Sequence, residues 1–171
     1  MSSRLIVFEG PEGAGKTTQL QLLARWFDAR GEQVVTLREP GGTPIGDEIR
    51  RLVLDPARTM TMRTEALLFI ASRAELIDSV VRPALDRGST VLVDRFLLST
   101  YAYQGAGRGI GDDELRAANR VATRDLAPTL TLLLHLPAGE GLARVALRGA
   151  PDRMERSDAA FHDRIERAFE V

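Results

Sequence analysis

Residues 10–17 read Gly-Pro-Glu-Gly-Ala-Gly-Lys-Thr, which is the spacing G-x-x-x-x-G-K-[ST] of a phosphate-binding loop. Glycines let successive backbone N–H groups turn inward to form an anion nest. A helix starting where the loop ends adds its positive dipole end. Gly10, Pro11, Glu12, Gly13, Ala14 and Gly15 would form the cradle, with Thr17 and Thr18 opening the helix behind it. Lys16 is placed to reach the β- and γ-phosphates, and the Thr17 hydroxyl to hold Mg²⁺. This chemistry binds a nucleoside triphosphate without saying what becomes of it. Glu12 is the odd member, because an anion in a phosphate cradle repels the ligand. Either it accepts a hydrogen bond from a second substrate across the loop mouth, or it tips outward as a solvated acid. Spacing alone does not separate the two.

A second candidate follows the apolar run Val91-Leu92-Val93, which ends in Asp94-Arg95. In an open parallel sheet, ligands sit beyond the carboxyl ends of the strands. Asp94 is therefore expected beside Thr17 in the Mg²⁺ shell, and Arg95 in the same crevice as a phosphate ligand. The alternative is a surface Asp-Arg pair. Arg38, Arg50 and Arg73 are expected on the same side. Arginine binds phosphate bidentately and always carries charge. One triphosphate already served by Lys16 and loop amides does not need so many cations, whereas a second phosphorylated substrate does. Taken singly, each arginine reads as a solvated residue.

The elements that must position these groups alternate along the chain. Strands are expected at 4–9, 33–37, 90–94 and 129–136. Helices are expected from 15 to about 30, ended by Gly31, and over 44–54, 63–87, 112–125 (from an Asp cap), 138–148 and 157–169. The stretch 38–44, rich in Pro and Gly, is a loop. Strands separated by helices imply a parallel sheet with helices on both faces.

The chain has 171 residues, 23 Lys+Arg against 24 Asp+Glu, a net charge of −1 and no cysteine. At roughly 100–200 residues per domain, one domain is expected. Without cysteine there is no disulfide framework, zinc finger or thiol nucleophile. Balanced charge argues against nucleic-acid binding. No apolar run approaches a membrane span and the N-terminus does not read as a signal peptide, so a cytoplasmic location is expected.

Three groups of residues carry a resemblance. Arg38-Glu39-Pro40-Gly41-Gly42-Thr43, Leu68-Phe69-Ile70-Ala71-Ser72-Arg73-Ala74-Glu75, and Asp94-Arg95-Phe96 through Ser99-Thr100-Tyr101-Ala102-Tyr103-Gln104-Gly105 resemble thymidylate kinase in order and spacing, from Arg4 to the chain end. The resemblance implies the P-loop nucleoside triphosphate hydrolase fold, as the α/β three-layer sandwich of the nucleoside monophosphate kinases. It implies transfer of the γ-phosphoryl group of ATP to dTMP with Mg²⁺, in a homodimer. By the same resemblance Phe69 stacks on thymine, Arg73 bonds a base carbonyl, and Ser99, Thr100 and Gln104 lie at the acceptor, the last two near the base edge. Tyr103 crowds the sugar 2′ position, Arg38, Arg50 and Arg95 surround the monophosphate, and Glu12 meets the 3′-hydroxyl. Read alone, Phe69 is an ordinary core aromatic.

Residues 148–157 form a polar break with Gly149 and Pro151, expected as a lid. The resemblance is to the bacterial type, which places a catalytic arginine there. Arg153 is expected over the transferring phosphoryl group and Arg148 near the phosphates or adenine. The resemblance also implies a further strand and helix after residue 171. His135 stands where an acid is common, and Phe96 where a Tyr is frequent; His162, Trp26 and Met154 suggest no chemistry. The rival readings are another nucleotide or deoxynucleoside kinase, and a nucleotide-gated binding switch.

Overall fold

Apolar residues of both parities give the strand β1 (Arg4–Glu9) two buried faces. Leu5 and Val7 turn to one side, Ile6 and Phe8 to the other. A computed structural model of the chain describes residues 3–147 and 149–170. In it β1 lies inside a four-stranded parallel sheet of order β2-β3-β1-β4, with β2 at Val34–Arg38, β3 at Thr90–Asp94 and β4 at Leu130–Leu133. One face packs Leu5, Val7, Val91 and Val93 against Leu76, Ile77, Val81 and Ala84. The other packs Ile6, Phe8 and Leu92 against Leu20 and Phe27 of α1 (Lys16–Asp28). At about 1.5–3 kcal/mol for each aliphatic or aromatic side chain removed from water, these two layers hold the sheet rigid.

Strand order decides where a ligand goes. From β1 the chain crosses to β2 on one side, and from β3 it crosses to β4 on the other. The switch point therefore falls between β1 and β3, at their carboxyl ends. The register pairs Phe8 with Asp94 and Arg38 with Asp94, so the loop after β1 and the ends of β2 and β3 border one crevice.

The remaining helices follow local signals. In α2 (Pro44–Leu54), Pro44 opens the helix and the Thr43 hydroxyl accepts from Gly46 N at 2.9 Å. α3 (Met62–Leu76) is capped by Thr61 and α8 (Ala159–Phe169) by Asp158, whose carboxylate accepts from Phe161 N at 2.7 Å. α7 covers Ala138–Ala146. A second apolar cluster, Ala102, Tyr103, Met154, Phe161, Ile165 and Phe169, joins α8 and the 149–158 segment to the centre of the chain.

Four expectations are revised. The helix over 63–87 is continuous but changes hydrogen bonding: α3 passes into a π-helical turn, Ile77–Val81, and then α4 (Arg82–Asp86). Pro83 has no N–H and its ring crowds the carbonyl four residues back, and a wider turn before it relieves both. Residues 97–107, given no element from sequence, form α5 (Leu97–Thr100) and a π-helical stretch, Tyr101–Gly107. The helix at 112–125 is α6 (Asp112–Thr123), capped by Gly111 with no side-chain bond. Asp112, Asp113 and Glu114 instead occupy its first turn, where negative charge favours the dipole. Finally, β4 is shorter than expected, Leu130–Leu133, and pairs with β1 over Ile6–Glu9.

One glycine fixes the loop's entry. Gly10 has φ +135, and a Cβ there would stand 2.2 Å from Leu134 O; only glycine lets the loop pass that close to the end of β4. The two-layer core makes a stability prediction. Leu92, with no exposed surface, is expected to cost about 2–5 kcal/mol on Leu92→Ala. Leu147, 88% exposed, is expected to cost less than about 0.5 kcal/mol on the same change. Urea midpoints of the two variants check this.

Candidate active site

The loop at 10–17 wraps its own lysine. Lys16 Nζ donates to Gly10 O at 2.9 Å and Pro11 O at 2.6 Å, and Gly15, at φ 88, turns the chain into α1. The Thr17 hydroxyl donates to the Asp94 carboxylate, so the two residues expected to share a metal are in contact across the β1–β3 crevice. Two hard oxygen donors beside a phosphate loop suit a hydrated Mg²⁺, which keeps most of its waters.

Arg95 closes the crevice. Its φ of 73 is unusual for a bulky side chain and turns the chain sharply from β3 into α5. Its guanidinium donates to Gly10 O at 3.1 Å, Ser99 Oγ at 3.0 Å and Tyr103 OH at 3.1 Å, and pairs with the Glu12 carboxylate. It also lies 4.8 Å above the Tyr103 ring. Burial pushes the Glu12 carboxyl up, but Arg95, Lys16 and a hydrogen bond from Tyr103 outweigh it and hold it below the usual carboxylate range. Burial pushes the Tyr103 phenol well above its ordinary value. For Arg95, burial is overcome by Glu12, Tyr103, Asp94 and Glu9, and its ionisation is pushed up. Lys16 goes the other way. Burial and then the Arg95 charge bring its ammonium down to about 7 against the pull of Glu12, Asp94 and Glu9.

These groups line one cavity of about 590 Å³. Of the residues singled out from sequence, Glu12, Gly13, Gly15, Lys16, Thr17, Thr18, Asp94 and Arg95 form its loop side. Arg38, Arg50, Phe69, Arg73, Ser99, Thr100, Tyr103 and Gln104 form the other. Gly10, Pro11 and Ala14 are in the loop without lining the cavity; the carbonyls of the first two hold Lys16. Arg38 is exposed at the rim. Arg50 donates to Pro40 O at 3.0 Å, and burial followed by the Arg38 charge lowers its ionisation. Two guanidinium groups that repel each other at a cavity wall make a seat for a dianion. Phe69 belongs to both descriptions, lining the cavity while packing against the Tyr103–Phe161 cluster.

Arg73 lines the cavity with its donors already engaged. It is 3% exposed and donates to Glu39 at 2.7 Å, Thr100 Oγ1 at 2.8 Å, Asn119 Oδ1 at 2.6 Å and Phe96 O at 2.8 Å. Its charge is balanced by a buried carboxylate, so it reaches a base only by sharing an N–H already in use. Arg153 is held away from the cavity in this structure. It lies outside the cavity lining, with NH1 2.7 Å from Glu65 Oε2 and Nε donating to Val53 O at 2.6 Å. A buried carboxylate and a free helix-end carbonyl hold it there. Arg148 lies outside the described residues.

Several cavity and support residues were not found from sequence. Arg144 of α7 lines the cavity and reaches toward Gly13 O at 3.5 Å, and Leu54, Asp152, Met154 and Glu155 line the opposite wall. Met154, assigned no chemistry from sequence, is thus a wall residue. Glu9, fully buried, accepts from Phe96 N at 2.9 Å and Ser99 Oγ at 2.6 Å and so orients α5. Glu39, also buried, is pushed up by burial despite Arg73. The available signal was an acid inside or against an apolar run, as at Glu9 and Glu65.

A family model described as thymidylate kinase matches residues 8–171. The thymidylate kinase of Deinococcus radiodurans is 52% identical over 164 residues, 96% of this chain and 80% of that one. That of Exiguobacterium sp. is 46% identical over 172 residues, 100% of this chain and 81% of that one. The crystal structure of thymidylate kinase from Ehrlichia chaffeensis superposes with a TM-score of 0.81 at 32% identity, covering 99% of this chain and 86% of that one.

The lowered Lys16 makes a pH prediction. With its ammonium brought down to about 7, Lys16 of the free protein is expected to lose its charge above that pH and to regain it beside a bound triphosphate. Nucleotide binding at pH 8 is therefore expected to take up about one proton, and at pH 6 Lys16 takes up none. Titration calorimetry in buffers of different ionisation enthalpy measures this, and Lys16→Arg is expected to lose the uptake.

Proposed function

The chain belongs to the thymidylate kinase family, whose reaction transfers the γ-phosphoryl group of ATP to dTMP in dTTP synthesis, and from that premise we propose how its own residues divide the work. ATP lies along the loop at 10–17, its β- and γ-phosphates against the loop amides and Lys16. The monophosphate of dTMP sits between Arg38, Arg50 and Arg95. Its thymine lies on Phe69, with Thr100 and Gln104 at the base edge and an Arg73 N–H shared with it. Glu12 accepts the sugar 3′-hydroxyl while Tyr103 crowds the 2′ position. The observation that carries this reading is the meeting of two cationic seats, Lys16 with its loop and Arg38 with Arg50, on one cavity wall each.

The acceptor is already an anion, so no general base is required. The task is to bring two like-charged groups into line and to stabilise the charge between them. Lys16 and Arg95 do this from the loop side, and Arg144 is the cation of α7 nearest the loop. Mg²⁺ held at Thr17 and Asp94 supplies neutralisation of phosphate oxygens when bound. Burial of the cavity walls strengthens each of these interactions.

We extend the reading to assembly and location. Ile45, Met62, Leu67 and Val121 are each more than half exposed on α2, α3 and α6, which supports a homodimer through these helices. Among the described residues no helix is long and apolar enough to cross a membrane. The proposed place of action is the cytoplasm, where ATP and deoxynucleotides meet.

A coupled ADP-release assay with dTMP, dUMP, UMP and thymidine tests the function. Turnover is expected to favour dTMP, and indifference to it would defeat the assignment. ATP hydrolysis without any acceptor would favour the nucleotide-gated switch instead. Lys16→Ala is expected to lower kcat by about a hundredfold or more while dTMP binding, followed by calorimetry, stays within about twofold. Equal loss of both would mean that the seats are not separate.

A further inference from the structure

Glu65 stands in the first turn of α3, 2% exposed, at the head of the apolar run 66–71. Three donors from two other parts of the chain meet on its carboxylate. Gln104 Nε2 and Arg108 Nε donate to Oε1, each at 3.1 Å, and Arg153 NH1 lies 2.7 Å from Oε2. Burial pushes this carboxyl up, but the hydrogen bonds from Arg108, Gln104 and Arg153 outweigh it. Each donor is also tied elsewhere. Arg153 holds its segment to the end of α2, through Nε to Val53 O and its backbone N–H to Leu54 O at 3.0 Å. Arg108 lies 4.2 Å above the Phe161 ring and reaches Ser157 Oγ at 3.4 Å. Gln104 lines the cavity, as do Asp152, Met154 and Glu155 beside Arg153.

We propose that Glu65 is a positioning residue for the acceptor seat: its carboxylate clamps the 149–158 segment over the cavity and fixes the orientation of the Gln104 amide, and so sets base selectivity. This rests on the dTMP reading above. With Nε2 given to Glu65, the Gln104 amide presents its carbonyl oxygen, an acceptor only. Thymine carries an N3–H to donate, and cytosine has a bare N3 in its place. A fixed amide therefore favours thymine, while one free to turn can offer its NH₂ to cytosine. The clamp requires a carboxylate. All the groups facing Glu65 are donors, so an amide at that position would turn its own NH₂ against one of them, and an unmatched buried donor is costly.

The test uses Glu65→Gln, with Arg153→Met as a second variant that removes only the lid half of the clamp. Hydrogen exchange of the free protein, without nucleotide, is expected to quicken about tenfold or more over 149–158 in both. It should quicken over 101–108 only in Glu65→Gln, with β1 and β3 unchanged. In turnover, Glu65→Gln is expected to raise KM for dTMP about tenfold, to leave KM for ATP within about twofold, and to cut the dTMP-over-dCMP preference about tenfold. Glu65→Asp is expected to restore part of that preference. Arg153→Met should keep the preference. The proposal is overturned if exchange quickens evenly through the whole chain, or if the base preference of Glu65→Gln is that of the wild type. It is also overturned if Arg153→Met lowers kcat a hundredfold with KM for dTMP unchanged, which would put Arg153 on the transferring group. A wild-type chain inert toward dTMP would instead sink the acceptor reading, and the exchange measurement would still decide the clamp.

Discussion

Cations crowd the carboxyl ends of β1, β2 and β3, and carboxylates within the fold hold the arginines that shape the site. Two unit charges about 4 Å apart interact by about 4 kcal/mol at an effective dielectric near 20. Unopposed, Lys16 and the arginines would spread into solvent and take the loop with them. Glu12 holds Arg95, Glu39 holds Arg73, and Glu65 holds Arg153 and Arg108. Glu9 binds no cation but fastens α5, whose Ser99 accepts from Arg95. Most of these acids touch no proposed ligand. They make a positively charged cavity compatible with a folded chain.

The balance is unequal in a way that serves binding. Arg95, Arg73 and Arg153 each have a carboxylate in contact. Among the described residues Lys16 is hydrogen-bonded to backbone carbonyls alone, and Arg38 and Arg50 bear on one another at the rim. The under-compensated cations, Lys16, Arg38 and Arg50, are all placed for phosphates; of the compensated ones Arg73 forms wall and Arg153 stands behind the lining. An incoming anion therefore finds its attraction at the Arg38–Arg50 edge and, at the loop, draws a proton onto Lys16, while the walls keep their shape. Arg95 stands at the join. It contacts Gly10, Glu12, Ser99 and Tyr103 together, and its left-handed backbone is a strain of order 1–3 kcal/mol of the kind kept at functional sites.

Legibility followed physical range. The phosphate loop was readable because its glycines, lysine and threonine act within eight consecutive residues, and strand β1 because both parities are apolar. The parallel sheet followed from alternation. The failures had distinct causes. The π-helical turns at 77–81 and 101–107 leave no periodic mark that separates them from α-helix or loop. The Asp cap at 112 was off by one position because first-turn acids and capping acids are the same residue types. The contact of Arg153 with Glu65 was not foreseen, because Glu65 lies 88 positions earlier in the chain. Nothing local to either residue marks that pairing.

The sequence by itself determined what interacts within one turn or one strand: the anion nest of residues 10–17, the two-faced β1, and the family to which the motifs point. Only the tertiary structure decided which charges face each other. Strand order 2-3-1-4 brings Asp94 to Thr17 and Arg95 to Glu12, and the fold of 149–158 carries Arg153 to Glu65 and leaves Arg144 by the loop. The reason is the reach of the forces. Helical and turn hydrogen bonding and the periodicity of apolar residues are set by near neighbours in the chain. An ion pair depends on distance in space, and that distance exists only once the sheet has assembled.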